Sequence, residues 1–530
     1  MGDATRPGVR TRDAAQVSVA DGGSLEQSGR AAHAIGDYDA AVSAYEHAFA
    51  AYRRHGDMVS AARAARTVGW FRGWVFGDWA VHRGWLARAR GLLEHASDDG
   101  GRGWVVLDDA LNGSDVDLQE SQYLEAIEVA RRNGDWDLEC DATASLGMML
   151  VFSGRVEDGM ARLDEALTAI CGGEVAELPV IEGCLCGLVT ACERTHDVGR
   201  ADQWLRTAIG VICRGNLVAV AGHCRAHYAG ILVAAGRWAD ADDELAAALD
   251  MLPDGLSARA GALCRLADLR IRQGRFEEAE RLLLGLDHVP DAVAPLVRLQ
   301  LARSQGARAV ELLDRVLASG SHEDHTTGPL LALSVEALLE SGDIEPACET
   351  SRRLTALADA QSSVYVNALA AVARARICTA TGTDDARACW HQAMTLFGAA
   401  RMPVEVASAR LELARVIAID RPAASVAEAE AAYRTFDEVG ARRNADQAAA
   451  LLRSLGATAR TGPKRRTPLT RREEEVLDLL ALGHTNRDIG ERLFISAKTV
   501  EHHVGRILSK LAMRSRVEVA AHIARRTARI

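Results

Sequence analysis

A five-position template recurs along most of this chain. A small residue is followed at +2 by an apolar or aromatic one, at +5 by alanine or its like, at +9 by a large residue and at +12 by another alanine-like one. Gly36-Tyr38-Ala41-Tyr45-Ala48 and Gly236-Trp238-Ala241-Leu245-Ala248 fill it completely. Close copies are Gly154-Val156-Gly159-Leu163-Ala166, Gly274-Phe276-Ala279-Leu283-Leu286 and Gly342-Ile344-Ala347-Ser351-Leu354. Weaker ones start near Gly77, Ser114, His196, Ser304, Thr381 and Ala424; most starts fall 37–43 residues apart, and the copy at Ser304 breaks the rhythm. The physical sense is a helical hairpin. The small residue ends one helix and makes the turn, the residues at +5 and +12 let two helices approach closely, and the large ones fill the gap to the next hairpin. One hairpin cannot bury its own apolar face, so the copies must stack into a superhelix. The abundance of alanine and an aromatic content of only 5% suit a mostly helical chain.

The template resembles the second helix of a tetratricopeptide repeat, with a somewhat longer period than the usual ~34 residues. Segments such as Gly77–Leu93, Gly154–Leu167 and Ala191–Leu205 look like the repeat bodies found before some LuxR-type regulators. The expected organisation is a disordered polar tail over 1–23, a repeat domain over 24–455, a flexible basic linker over 456–468 (GATARTGPKRRTP) and a compact helical domain over 469–530.

The last of these segments carries the sharpest signals. Thr470 with Glu473 has capping-box spacing, Val476, Leu477, Leu479 and Leu480 mark an apolar face, and Gly483 stops the helix. Thr485 caps a short second helix with Ile489 and Leu493 inward. Ser496 caps a third, where Val500, Val504, Ile507, Leu508 and Leu511 repeat at helical spacing. Ser515 with Glu518 opens a fourth, running to about Arg526. Two helices joined by a tight turn, the second with a polar outer face, form a helix-turn-helix whose second helix can lie in a DNA major groove.

The ordered residues Leu469-Thr470, Arg472-Glu473, Val476-Leu477, Leu479-Leu480-Ala481, Gly483, Thr485-Asn486-Arg487, Ile489, Leu493, Ile495-Ser496, Thr499-Val500, His503, Ile507, Lys510-Leu511 and Arg516 resemble the LuxR-type helix-turn-helix domain. The fold class expected is thus all-α, a tetratricopeptide-like α-α superhelical repeat array followed by a small four-helix LuxR-type domain. The resemblance implies a bacterial transcriptional regulator that binds double-stranded DNA. Major-groove contacts are expected from Lys498, Thr499, Glu501, His502, Gly505 and Arg506, and phosphate contacts from Arg487, Lys510, Arg514 and Arg516. It further implies a homodimer paired through the fourth helix, with Val517, Val519, Ala520 and Ile523 as the pairing residues. His503 is expected to be structural. The chain departs from the family at Glu501, often lysine there, and at Arg506, often asparagine, so its base preference should differ.

The charge divides in the same place. Residues 460–530 hold 16 Arg and Lys against 8 Asp and Glu, leaving the rest of the chain at 46 against 65. A basic domain on an acidic body points to a polyanion partner for the domain. It also suggests gating, in which the acidic body covers the basic reading face until a protein, peptide or small effector on the repeats releases it. The acidic run Asp240–Glu244 itself has the character of a solvated helix face.

Other chemistries find little support. No GxxxxGK[ST] phosphate loop, GxSxG elbow or HExxH pair occurs, and no alternating strand–helix stretch suggests a receiver domain, so neither an enzyme nor a cofactor is expected. Cys184, Cys186, Cys192 and His196 lack the usual zinc spacing and suit core packing. Trp70, Phe71, Trp74, Phe76, Trp79 and Trp85 suit contacts between hairpins better than a ligand site. No apolar run approaches the ~18–20 residues needed to span a bilayer, and the first 22 residues lack the apolar core of a signal peptide, so a cytoplasmic protein with no membrane partner is expected. An interaction scaffold with a non-reading helix-turn-helix and a sigma-like initiation subunit are the alternatives; the acidic body lacks the basic, aromatic melting domain that the second requires.

Overall fold

The computed structural model describes residues 21–93, 99–113, 115–215, 218–319, 324–361, 363–383, 385–457, 469, 471–481, 483–493, 495–511, 513, 515, 516 and 518. Residues 1–20 of the expected N-terminal tail, the linker after Ala457, Thr470, Arg514 and the pairing residues Val517, Val519, Ala520 and Ile523 lie outside them, whereas Gly22 and Gly23, expected in the disordered tail, open the first helix. Helices account for the ordered elements, and no strand occurs among the described residues. Contacts divide the chain into two compact units, 1–105 and 106–530.

The first unit contains α1 (Gly22–Ala34), α2 (Tyr38–His55), α3 (Met58–Trp70), a π-turn (Phe71–Val75), α4 (Trp79–Leu93) and the start of α5 (Asp99–Asn112). Asp37 and Asp57 cap α2 and α3, each accepting a backbone N–H with its carboxylate. Gly36 turns the chain at φ +80°, as the template requires, and Tyr38, Ala41, Tyr45 and Ala48 are all buried behind it. The aromatic cluster splits in two. Phe71 is fully buried against Trp70 and His33, and Trp85 meets Phe49 edge-on, which is packing. Trp74 and Trp79 are exposed and touch each other edge-on.

The second unit continues with α6 (Val116–Asn133), α7 (Trp136–Phe152), α8 (Val156–Gly172), α9 (Leu178–Thr195), α10 (Val198–Gly215), α11 (Val218–Ala234), α12 (Trp238–Met251), α13 (Ser257–Arg272) and α14 (Phe276–Leu283). Next come α15 (Val293–Ala302), α16 (Gly306–Ser319), α17 (Asp324–Ser341), α18 (Ile344–Gln361), α19 (Val364–Thr381) and α20 (Ala386–Ala399). The last are α21 (Pro403–Val416), α22 (Pro422–Val439), α23 (Arg442–Ser454), α24 (Arg471–Ala481), α25 (Asn486–Leu493) and α26 (Ala497–Lys510). Consecutive helices pack as hairpins, α7 on α8, α11 on α12, α19 on α20 and α21 on α22 among them.

The template explains how close these helices come. A Cβ added at Gly159 would lie 2.5 Å from the Gly147 carbonyl oxygen, so α7 and α8 touch backbone to backbone where only glycine fits. In α12 the template residues Ala241, Leu245 and Ala248 are fully buried. Turns also form where the small residue is not glycine, at His196 (φ +55°) and Ser304 (φ +56°). The early start at Ser304 has a cause: α14 is only eight residues long and a 3-10 turn, Pro290–Ala292, leads into a short α15. Ala424 marks no turn, because it lies inside α22. The turn before α21 is at Arg401, also left-handed (φ +56°), which the template misses.

The array folds back on its own middle. One apolar cluster joins Leu232, Trp238, Leu245 and Leu269 of α11–α13 to Val404, Leu411 and Phe436 of α21 and α22. Beside it the Arg272 guanidinium donates to Glu405 at 3.0 Å, across 133 residues of sequence. The helix α12 is therefore held from behind by both neighbouring hairpins and the returning chain end.

Candidate nucleic-acid interface

Local signals build the C-terminal domain. Val476, Leu477, Leu480, Ile489, Ile495, Val500 and Ile507 are buried in one cluster, with Leu479, Leu493, Val504, Leu508 and Leu511 packed against it. Gly483 ends α24 at φ +84°. Thr485 and Asp488 cap α25 reciprocally: the Asp488 N–H donates to the Thr485 hydroxyl at 3.2 Å, and the Thr485 N–H to the Asp488 carboxylate at 3.0 Å. The Thr485 hydroxyl, donating to that carboxylate at 2.7 Å, and the Thr485 N–H together hold the Asp488 carboxyl below its ordinary range. The Ser496 hydroxyl accepts from the Thr499 N–H at 3.0 Å and starts α26. Within α25, a Cβ on Gly490 would meet the carbonyl oxygen of Ile495, in the turn that leads to α26, at 2.6 Å. The backbone of the turn thus rests on that glycine, a requirement that helical periodicity does not reveal.

Cations brace the domain. Lys510 donates from Nζ to the fully buried Glu473 at 2.6 Å, and Arg472 donates to the Leu493 carbonyl at the end of α25. Arg516 donates to the His484 carbonyl at 2.7 Å, tying the chain just beyond α26 to the turn before α25. Two of the residues expected at phosphates, Lys510 and Arg516, therefore have intramolecular partners. The Glu518 N–H lies 3.3 Å from the Ser515 hydroxyl, as the second capping box requires.

On α26 the expected DNA residues fall on two faces. Lys498, Glu501, His502 and Gly505 are exposed, and a Cβ on Gly505 would meet open space. Thr499, His503 and Arg506 share the adjoining flank, where Thr499 and His503 are buried. That flank lies on α12. The Arg506 Nη1 donates to Asp243 Oδ1 at 2.9 Å, and the Thr499 hydroxyl donates to Asp250 Oδ2 at 2.8 Å. His503 Nδ1 stands 3.8 Å from Asp243 Oδ2. Ala247, one turn on from Asp243, joins the domain's apolar cluster. From α11, Arg225 donates to the Leu493 carbonyl at 3.4 Å and to Glu244 at 2.5 Å.

This corrects the reading of Asp240–Glu244 as a solvated face. Asp243 is buried at 5% exposure, Asp242 pairs with Arg270 at 2.6 Å, Glu244 with Arg225, and Asp240 with Arg237 at 2.8 Å. An alternation of acidic and apolar residues looks the same in sequence whether water or a second domain covers it.

Burial pushes the Asp243 carboxyl up to about 7 in spite of Arg506 beside it, with Glu473, Asp242 and Glu244 adding to the rise. Burial also brings His503 down to about 4, so that ring faces Asp243 uncharged. A carboxyl raised in the docked state and ordinary once exposed, near 3.9, favours docking in acid. That contribution is complete below the ordinary value and is lost as pH rises through about 7. Hydrogen exchange of the docked face should therefore quicken between pH 6 and pH 8 in the native chain. Taken relative to the intrinsic, base-catalysed exchange rate at each pH, this loss of protection should vanish in Asp243→Asn, which cannot ionise; an equal loss of protection in both proteins would contradict the assignment.

The cysteines point elsewhere. The Cys184 thiol lies 3.8 Å from that of Cys140 on α7, and burial pushes Cys192 up to about 12. His196 packs edge-on against Tyr365, 4.6 Å between ring centres, with neither ring nitrogen hydrogen-bonded. No group of three His, Cys, Asp or Glu side chains suited to a metal occurs among the described residues, and no described helix is long and apolar enough to cross a membrane. An open groove of about 930 Å³ runs beside α21, lined by Val198, Met402, Pro403, Arg401, Arg410 and Arg434 among others.

Comparison with known proteins locates a relationship in the same segment. Residues 467–523 match the family described as bacterial regulatory proteins, luxR family. The transcriptional regulatory protein LiaR of Bacillus subtilis is 52% identical over 54 residues, 10% of this chain and 26% of that protein. The oxygen regulatory protein NreC of Staphylococcus haemolyticus is 46% identical over 54 residues, 10% of this chain and 25% of that protein. The chain thus spans about a quarter of the length of the curated relatives it matches. Among solved structures, yeast Tom70 aligns with 82% of this chain and 96% of its own at 12% identity and a TM-score of 0.31. The Cut9–Hcn1 hetero-tetramer aligns over 82% and 94% at 12% identity and 0.35. With its capped helices, its turn and its ordered motif, the segment 467–523 is a DNA-binding helix-turn-helix domain of the luxR family.

Proposed function

We propose that the chain is a cytoplasmic, sequence-specific transcriptional regulator whose helical-repeat body docks an effector and controls the C-terminal domain's access to double-stranded DNA. The observation that carries this is the outer face of α26, where Lys498, Glu501, His502 and Gly505 stand free of the core on a capped and braced helix. In a major groove Lys498 suits guanine O6 and N7, and Glu501 suits the cytosine amino group. Gly505 lets the helix approach closely. Thr499 and Arg506, on the flank, suit the phosphates of the groove wall. Two copies paired through the fourth helix would read two-fold-related half-sites. The groove beside α21 is of a size that holds small ligands; Arg401 and Arg434 line it together with Glu438, and Arg410 pairs with Glu428.

Selection of bound duplexes from a random library tests the DNA reading: a two-fold-related motif should be enriched, and recovery of no preferred sequence would contradict it. Arg506→Ala should change binding by the same factor for every sequence and flatten the salt slope by about one. A selective loss at one base position of about 1–3 kcal/mol would instead make Arg506 a base reader.

A further inference from the structure

We propose that α12 stands in for the wall of a DNA major groove, so that the conformation described here is a closed, DNA-silent state of the chain. The inference rests on the DNA reading above and names how that site is regulated.

A major groove is about 12 Å wide, and a helix with its side chains is about 10–12 Å across. The groove admits one helix, with phosphates along both flanks. In this chain one flank of α26 is occupied by a second helix. Ala247 of α12 joins the apolar cluster that holds Val476 and Leu477 of α24 with Val500 and Ile507 of α26, so α12 lies beside α24 and meets the flank of α26 through side chains. No duplex can close around α26 while α12 lies there.

The contacts that α12 makes are those a phosphate wall would make. Asp243 presents a carboxylate oxygen to the Arg506 guanidinium at 2.9 Å, and Asp250 accepts the Thr499 hydroxyl at 2.8 Å. The two acceptors lie seven residues apart on α12 and their donors seven apart on α26, so acidic groups two turns apart on one helix meet donors two turns apart on the other. Arg225 adds a third tie from α11 to the end of α25. The exposed residues Lys498, Glu501 and His502 remain outside this contact. The lock therefore works by excluding the duplex along a flank and leaves the base-facing residues uncovered. A ligand that moves α11 and α12 as a hairpin would withdraw all three ties together. By linkage, DNA that pulls α26 away must likewise favour the displaced arrangement of the body.

The test uses the full chain and a duplex recovered from the selection. Asp243→Lys sets like charges against Arg506 and should raise DNA affinity at least ten-fold over the native chain. Asp254→Lys makes the same change of charge on an exposed residue just beyond α12 and should raise it far less. Hydrogen exchange within residues 238–251 should quicken in Asp243→Lys without DNA, and in the native chain once DNA is added. Should Asp243→Lys fail to fold, Asp250→Lys carries the same expectations. Equal affinities for the native chain and Asp243→Lys would overturn the lock and leave the DNA reading standing. An equal gain from Asp254→Lys would overturn it as a bulk charge effect. Specific binding by none of the proteins would overturn the DNA reading, and the lock with it.

Discussion

Replacing Phe436 with alanine should destabilise the second unit by about 3–5 kcal/mol, the usual range for emptying a fully buried phenylalanine site. Phe436 has no solvent exposure, and its ring sits where the returning helices α21 and α22 meet α11–α13. Its neighbours there, Trp238 and Leu245, are fixed in turn: the Trp238 indole N–H donates to the Val233 carbonyl at 3.0 Å, and Leu245 is fully buried. The surroundings cannot collapse to fill the space, which places the cost towards the upper part of the range. The consequence reaches beyond stability, because α12 carries Asp243 and Asp250 on its opposite side. A loosened α12 should hold α26 less firmly. The variant should show a lowered melting transition for the repeat unit and faster hydrogen exchange in α12 and α22. A melting profile and exchange pattern like those of the native chain would contradict this account of how the array closes.

Gly490→Val should remove the DNA-binding domain's fold while leaving the repeats intact. The Cβ of any other residue would press to within 2.6 Å of the Ile495 carbonyl oxygen, and the Ile495 N–H already donates to the Gly490 carbonyl at 3.0 Å. Overpacking of this kind costs roughly 1–3 kcal/mol where side chains can yield. Here the backbone of α25 opposes that of a tight turn, so the small domain has little means of relief. Specific DNA binding should fall below detection, and protease should cut within residues 471–511 of the variant before it cuts the repeats. A variant that binds DNA with native affinity would show that the turn is more pliant than its geometry implies.

The C-terminal domain was largely legible in the sequence because its determinants are local. Thr485, Gly483 and Ser496 act on residues three or four positions away, and the apolar spacing of Val476–Leu480 and Val500–Leu511 maps directly onto one core. The hairpin array was legible for the same reason, through Gly36, Gly236 and their fellows at left-handed turns. The turns at His196 and Ser304 strained that reading, and the one at Arg401 escaped it, since nothing in the residue type announces a left-handed conformation. The flank contact could not be seen. Thr499 meets Asp250 across 249 residues, and Arg506 meets Asp243 across 263. The opposite charges of body and domain gave the direction of such a contact and not its address. Asp243, Asp250 and Arg225 take their roles from the fold alone.

The central claim is that α26 reads double-stranded DNA with its outer face. Its most direct test is duplex selection with the Asp243→Lys chain, repeated after adding Glu501→Lys. The account predicts one enriched two-fold-related motif from the first protein and a changed base at a fixed position of that motif from the second. Identical motifs from both, or no enrichment from either, would contradict it.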